Sequence, residues 1–206
     1  MSLDGTNSGM IASVGDFLNR ADLSATIPDF IVLAEADLNR KLRSRLMTAI
    51  VSSTITAQYD TAPSDFAGVI SLKRADGRPL NVRSIDAIDK LTADNSGGSG
   101  TLTDYAVVGS AFQFYPIPAV SQTVTMAYYQ KVPGLALNPT GNWLSKAHPD
   151  AYLYGALTAA SPYLQDDERV AVWSGLYQNA IESILIADQE RFGERLSMQP
   201  SATQIV

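Results

Sequence analysis

Ile27, Ile31, Ala34, Leu38, Leu42 and Leu46 recur at spacings of three and four, which on a helix of 3.6 residues per turn puts them in one apolar stripe. Pro28 suits a first turn, where its missing N–H needs no partner, and Thr26 stands where a side chain can cap the free backbone donors. A helix is therefore predicted over 27–47. Its polar positions carry Glu35, Asp37 and Asn39 early and Arg40, Lys41, Arg43 and Arg45 late, the order that suits the helix dipole. Upstream, Ile11, Val14, Phe17 and Leu18 keep a helical spacing that begins near Met10, while 1–9, small and polar, reads as a loose end. After Met47 the pattern changes: Ile50, Val51, Thr54, Ile55 and Thr56 are β-branched, and predict a strand reaching Tyr59. The loop 60–64, with Pro63 in it, stops that strand.

Over 66–132 short apolar or alternating runs are separated by turn residues, the pattern of antiparallel strands. Runs 69–73 and 80–82 flank Asp76-Gly77, and runs 105–108 and 111–115 flank Gly109-Ser110, so each pair predicts a hairpin. From Gln122 to Tyr129 the residues alternate, with Val124, Met126 and Tyr128 on the face expected to be buried. Between the hairpins Ser84 caps a brief helix with Ile85, Ile88 and Leu91, followed by a Ser/Gly-rich loop over 93–100 that is expected to be mobile. Helix then returns: Asn142 caps a short turn at Trp143 and Leu144, and Pro149 with Asp150 opens a helix carrying Leu153, Ala156, Leu157 and Ala160. A last helix of ~25 residues follows, with Gly193 as its expected cap. The fold class is thus α+β. A helical bundle is formed from both chain ends, 10–47 and 141–193, an antiparallel β-rich insertion occupies 48–132, and 194–206 is an extended C-terminal tail.

Composition narrows the chemistry. With 206 residues, 46% apolar and 17% charged, the chain can bury a real core. No apolar run approaches the ~20 residues of a membrane span and 1–7 lacks the features of a signal peptide, so a soluble, unexported protein with no membrane contact is expected. The absence of cysteine removes thiolate metal sites and cysteine nucleophiles, and there is a single histidine, His148. A net charge of −6 argues against a protein whose task is to grip phosphates.

The candidate chemistry is sparse. Asp166, Asp167 and Glu168 have the charge for a hard cation, but adjacent positions point in different directions and the start of a helix explains them. His148 beside Pro149 has no nucleophile motif to serve and reads as a capping or packing residue. Arg40, Lys41, Arg43 and Arg45 read as a solvated face or a protein contact in preference to a DNA contact. Of Tyr128 and Tyr129, on opposite faces of one strand, one is core and the other is left for an interface. No phosphate loop, nucleophile elbow or zinc pattern occurs, so no enzyme, cofactor or metal site is expected.

Several segments, in order, resemble the head-to-tail adaptor (connector) proteins of tailed bacteriophages, the short-tailed kind in particular. Leu18-Asn19-Arg20 with Asp22-Leu23 looks like that family's opening helix and turn, and Phe30 through Leu42-Arg43 like its second helix. Pro63, Asp65 and Phe66 look like the entry to its β-region, Tyr105 through Gly109 with Pro116 like its central hairpin, and Pro149-Asp150, Leu153-Tyr154 and Ala156-Leu157 like its penultimate helix. Thr48 and Ala62 depart from the pattern, which has an acidic and a larger apolar residue there. The resemblance implies a structural virion protein, made in the host cytoplasm and placed at the head-tail junction. It implies a homo-oligomeric ring, expected as a dodecamer, that joins the portal protein to a tail or nozzle protein and lets DNA pass through its channel without specific binding. On this reading Met198, Pro200, Ile205 and Val206 in the uncharged tail bind the portal, and Arg40, Lys41, Arg43 and Arg45 face a neighbouring subunit or the portal. The alternative is a tail-associated module that recognises a host glycan or partner protein through the β insertion.

Overall fold

The computed structural model describes residues 3–95, 97–164 and 168–197. The chain divides into two compact units, one made of Met1–Arg45 with Val132–Val206, the other of Leu46–Lys131. The class is α+β.

The first unit is helical: α1 (Asn7–Leu18), α2 (Ile27–Lys41), α4 (Trp143–Ala147), α5 (Pro149–Ala159) and α6 (Arg169–Ser197), while α3 (Ile85–Asp94) belongs to the other unit. Ile27, Phe30, Ile31, Ala34 and Leu38 face inward from α2, and Ala151, Tyr152, Leu153, Ala156 and Leu157 from α5, the central helix that α1, α2 and α6 all pack against. Gly155 allows the close approach: a Cβ there would stand 3.1 Å from Ala34 Cβ and 3.0 Å from the Tyr177 ring. The stripe that predicts α2 overruns it. The helix ends at Lys41, because the Arg43 guanidinium takes the carbonyls of Asn39 and Leu42, at 2.7 and 2.6 Å. Leu42 remains buried in extended backbone, whereas Leu46 is exposed. Thr26 adopts helical backbone and makes no side-chain cap, so its carbonyl and not its hydroxyl receives the first amides.

The chain start is docked where the sequence reads as loose. Thr6 caps α1 through Gly9 N–H, Asn7 N–H donates to the Pro139 carbonyl at 3.0 Å, and the Gly5 carbonyl accepts from Ser145 Oγ at 2.7 Å. At the other end α6 continues to Ser197, so Gly193 lies within it and 194–197 are helical, not extended.

The second unit holds β1 (Thr48–Ile55), β2 (Tyr59–Thr61), β3 (Phe66–Arg74), β4 (Asn81–Val82), α3 (Ile85–Asp94), β5 (Ser99–Gly100), β6 (Asp104–Val108), β7 (Ala111–Tyr115), β8 (Ile117–Pro118) and β9 (Gln122–Gln130). They form three sheets, ordered β1-β9-β3, β2-β7-β6-β4 and β5-β8. Ile55, Leu72, Phe112, Phe114, Val124 and Met126 are part of one buried cluster. The Gly109-Ser110 hairpin forms as read, with Gly109 at φ +60°. Asp76-Gly77 does turn the chain, with Gly77 at φ +81°, but the return strand leaves its expected partner. Pro79 has no N–H to extend the ladder, and after Leu80 donates to Leu72, β4 pairs in parallel with β6. The segment read as a Ser/Gly loop supplies the end of α3 and strand β5, which pairs in parallel with β8.

Candidate interaction surfaces

The four basic residues at the end of α2 do not form one patch. Asp37 draws in two of them: Lys41 Nζ lies 2.7 Å and Arg40 Nη2 3.2 Å from its carboxylate, and the Tyr177 hydroxyl donates to it at 2.8 Å. Burial alone would push the Asp37 pKa up, but these partners outweigh it and hold the carboxyl below its usual range. The Tyr177 phenol is pushed far up, first by burial and then by the carboxylate beside it, so it stays a donor. Lys41 also sits over the Tyr177 ring, 5.1 Å from its centroid. Arg43 caps the helix end, and Arg45 binds Asp188 of α6 through its backbone N–H at 3.0 Å and its guanidinium at 3.2 Å. Asp37 lies one turn before Arg40 and Lys41 and is legible as their i,i+3 and i,i+4 partner, whereas Tyr177 and Asp188 reach this group from more than 130 residues away in sequence and are not.

A cleft of about 200 Å³ opens between α2, α5 and α6, lined by Leu33, Ala34, Asp37, Gly155, Ala159 and Tyr177 among others. Leu33 and Ala159 are apolar parts of its lining, and Asp37 and Arg40, paired with each other, are its charged parts. On the other flank of α2, Glu35 and Asn39 hold the chain where it re-enters the unit. Glu35 Oε1 accepts Leu135 N–H at 2.6 Å, and Asn39 Oδ1 accepts Val132 N–H at 2.7 Å. Glu35 is 9% exposed, and burial raises its pKa against the opposing pull of the Leu135 amide. Beyond this anchor Leu135 is fully buried while Leu137 is 88% exposed, on a turn where Leu137 and Asn138 both donate to the Gly134 carbonyl.

Asn142 is more than the N-cap of α4. It completes a capping box with Ser145, and its amide also donates to the Pro133 carbonyl and the Tyr152 hydroxyl, both at 2.7 Å. His148 is half-buried at the junction of α4 and α5 and makes no capping bond through its side chain. Among the described residues no group of three His, Asp or Glu side chains converges to hold a metal. Nor is any helix among them long and apolar enough to cross a membrane.

In the β unit the open feature is β1. It lies at the edge of its sheet and carries no charged residue over eight positions, and Ile50 is 76% exposed. Its ladder to β9 is regular, whereas β3 at the opposite edge is irregular at two places and carries Lys73 and Arg74. Tyr128 is core, its hydroxyl donating to Asp65 at 3.0 Å, and Tyr129 lies on the other face, half-buried. Met198, Pro200, Ile205 and Val206, read as portal-binding, and Asp166 and Asp167 lie outside the described residues.

Comparison with known proteins gives a match to one family model, described as SU10 adaptor protein, over residues 6–201. No curated protein matches the chain.

Proposed function

From the premise that this chain belongs to the SU10 adaptor protein family, we propose that it forms a ring between the portal and the tail and carries the DNA channel from one to the other. As a phage adaptor protein it is a component of the virion and interacts with other virion proteins; the ring, its neighbours and its handling of DNA are the finer part of the reading. The observation that carries it is the family match itself, which spans both units. Support also comes from apolar side chains left in solvent: Val32 and Leu33 on α2, Val172 and Leu176 one turn apart on α6, and Ile50 on β1. The role is structural, without catalysis.

DNA passes such a ring without being held. Net charge is −6, and Arg40, Lys41 and Arg45 are each engaged by a carboxylate of the same chain. Electron microscopy of virions tests the ring directly, with closed rings expected where head meets tail; virions in which this protein is found elsewhere would overturn the reading. In a gel-shift titration with duplex DNA at low salt, no retention is expected. Micromolar binding that disappears when Arg40, Lys41, Arg43 and Arg45 become alanine would place those residues on the DNA path.

A further inference from the structure

We propose that Leu137 of one copy inserts into the cleft between α2, α5 and α6 of the next, so that this knob and socket set the head-to-tail contact between neighbouring copies of the chain. The inference rests on the ring reading above and names the surfaces that would close it.

A ring needs a heterologous contact, in which two different patches of one chain meet each other on successive copies. The helical unit carries such a pair. Leu33 and Asp37 each stand two residues from Glu35, and at ~100° per residue they lie roughly 160° around α2 from it. The cleft is therefore on one flank of the buried stripe of α2, and the anchored segment that leads to Leu137 is on the other. A single patch binding its own copy would give a closed pair, whereas features on opposite flanks let every copy both give and receive.

The shapes and charges agree. At about 200 Å³ the cleft is smaller than the ~300–1,000 Å³ of small-molecule sites, and suits an aliphatic side chain. Its wall offers Leu33, which is 55% exposed, together with Ala34 and Ala159. Asp37 is already satisfied by Arg40, Lys41 and Tyr177, so the carboxylate in the cleft calls for no cationic occupant. The segment 133–142 around Leu137 contains no charged residue. Leu137 is also pre-positioned, with Leu135 buried two residues before it and a turn closed on the Gly134 carbonyl, so little conformational freedom is lost on docking.

The chain has no cysteine, so introduced thiols report only the pair under test. The double variant L137C/L33C is incorporated into virions and also oxidised as purified protein at high concentration; non-reducing gels then read the products. A ladder of covalently linked copies is expected, with little from the control L137C/I186C, whose second thiol sits on the exposed side of α6 away from the cleft lining. In parallel, L137S is expected to weaken self-association at least about tenfold and leave the melting temperature unchanged, because the side chain it removes is 88% exposed. Rings seen by microscopy without an L137C/L33C ladder would overturn the contact and leave the ring standing. A ladder without rings at the head-tail junction would support the contact and sink the ring, and the absence of both would sink both.

Discussion

Glu35 shows how a single carboxyl can tie distant chain to a helix and cost stability in doing so. Burial disfavours its ionised form, so its folded-state pKa lies above the 4.5 of an ordinary glutamate. Between 4.5 and that raised value the folded chain keeps a proton that the unfolded chain has released, and stability therefore falls as pH rises through the window. Glu35→Gln keeps a carbonyl to accept Leu135 N–H and has nothing to ionise. Denaturant melts of both proteins at about pH 4 and about pH 7 should show the variant gaining on the wild type toward the higher pH; a constant difference would mean that burial does not raise the carboxyl's pKa. Gly141 is constrained in another way. Its φ is +90°, and a Cβ there would lie 2.3 Å from the Gly5 carbonyl oxygen, backbone that cannot swing aside. Gly141→Ala should lower stability by on the order of 2–4 kcal/mol, read from the shift in denaturant midpoint.

Among the elements, those built on local pattern were legible in the sequence. Ser84 and Asn142 announce their helices, Gly109-Ser110 its hairpin, and the alternation of Val124, Met126 and Tyr128 the buried face of β9. Failures came where one side chain or a distant group overrides the pattern. Arg43 ends α2 before the stripe does, Pro79 diverts a hairpin strand into a parallel pair, and Ser145 draws in Gly5 from 140 residues away. The same holds for the surfaces: the basic residues and the Asp37 one turn before two of them were visible, but Tyr177 and Asp188, which cover or pair with them, are not near them in sequence. Strand β1 makes a prediction of its own. Its edge is regular and uncharged, and such edges template pairing with other chains unless a lysine, proline or bulge interrupts them. Ile50→Lys should leave the melting temperature within ~2 °C, since exposed substitutions rarely cost more than ~0.5 kcal/mol, and should slow aggregation of heated protein. A large fall in melting temperature would show that Ile50 is packed in the isolated chain.

At the scale of the molecule, the two units differ in how the chain supplies them. Leu46–Lys131 is one continuous stretch with its own aromatic and aliphatic cluster, including Phe112 and Phe114 side by side at 6.2 Å between centroids. Residues 46–131 made alone should therefore fold cooperatively, with a single sigmoidal thermal transition and the circular dichroism of a β-rich domain. A featureless melt would show that this unit depends on the helical one for its stability.

The helical unit is the reverse: α2 is made early, and its main partner α5 begins only at Pro149. At ~5–20 residues per second, a ribosome needs roughly 5–20 s to travel from the end of α2 to the start of α5. During that interval Phe30, Ile31, Ala34 and Leu38 have no α5 to lie against, while the β unit emerges whole and can mature first. The apolar face that later becomes the bundle core is thus a nascent-chain liability. Host chaperones that shield short hydrophobic stretches should act on this chain before residue 149 appears and lose their hold once α5 has packed, so ribosome-bound chains arrested before and after that point should differ sharply in chaperone occupancy.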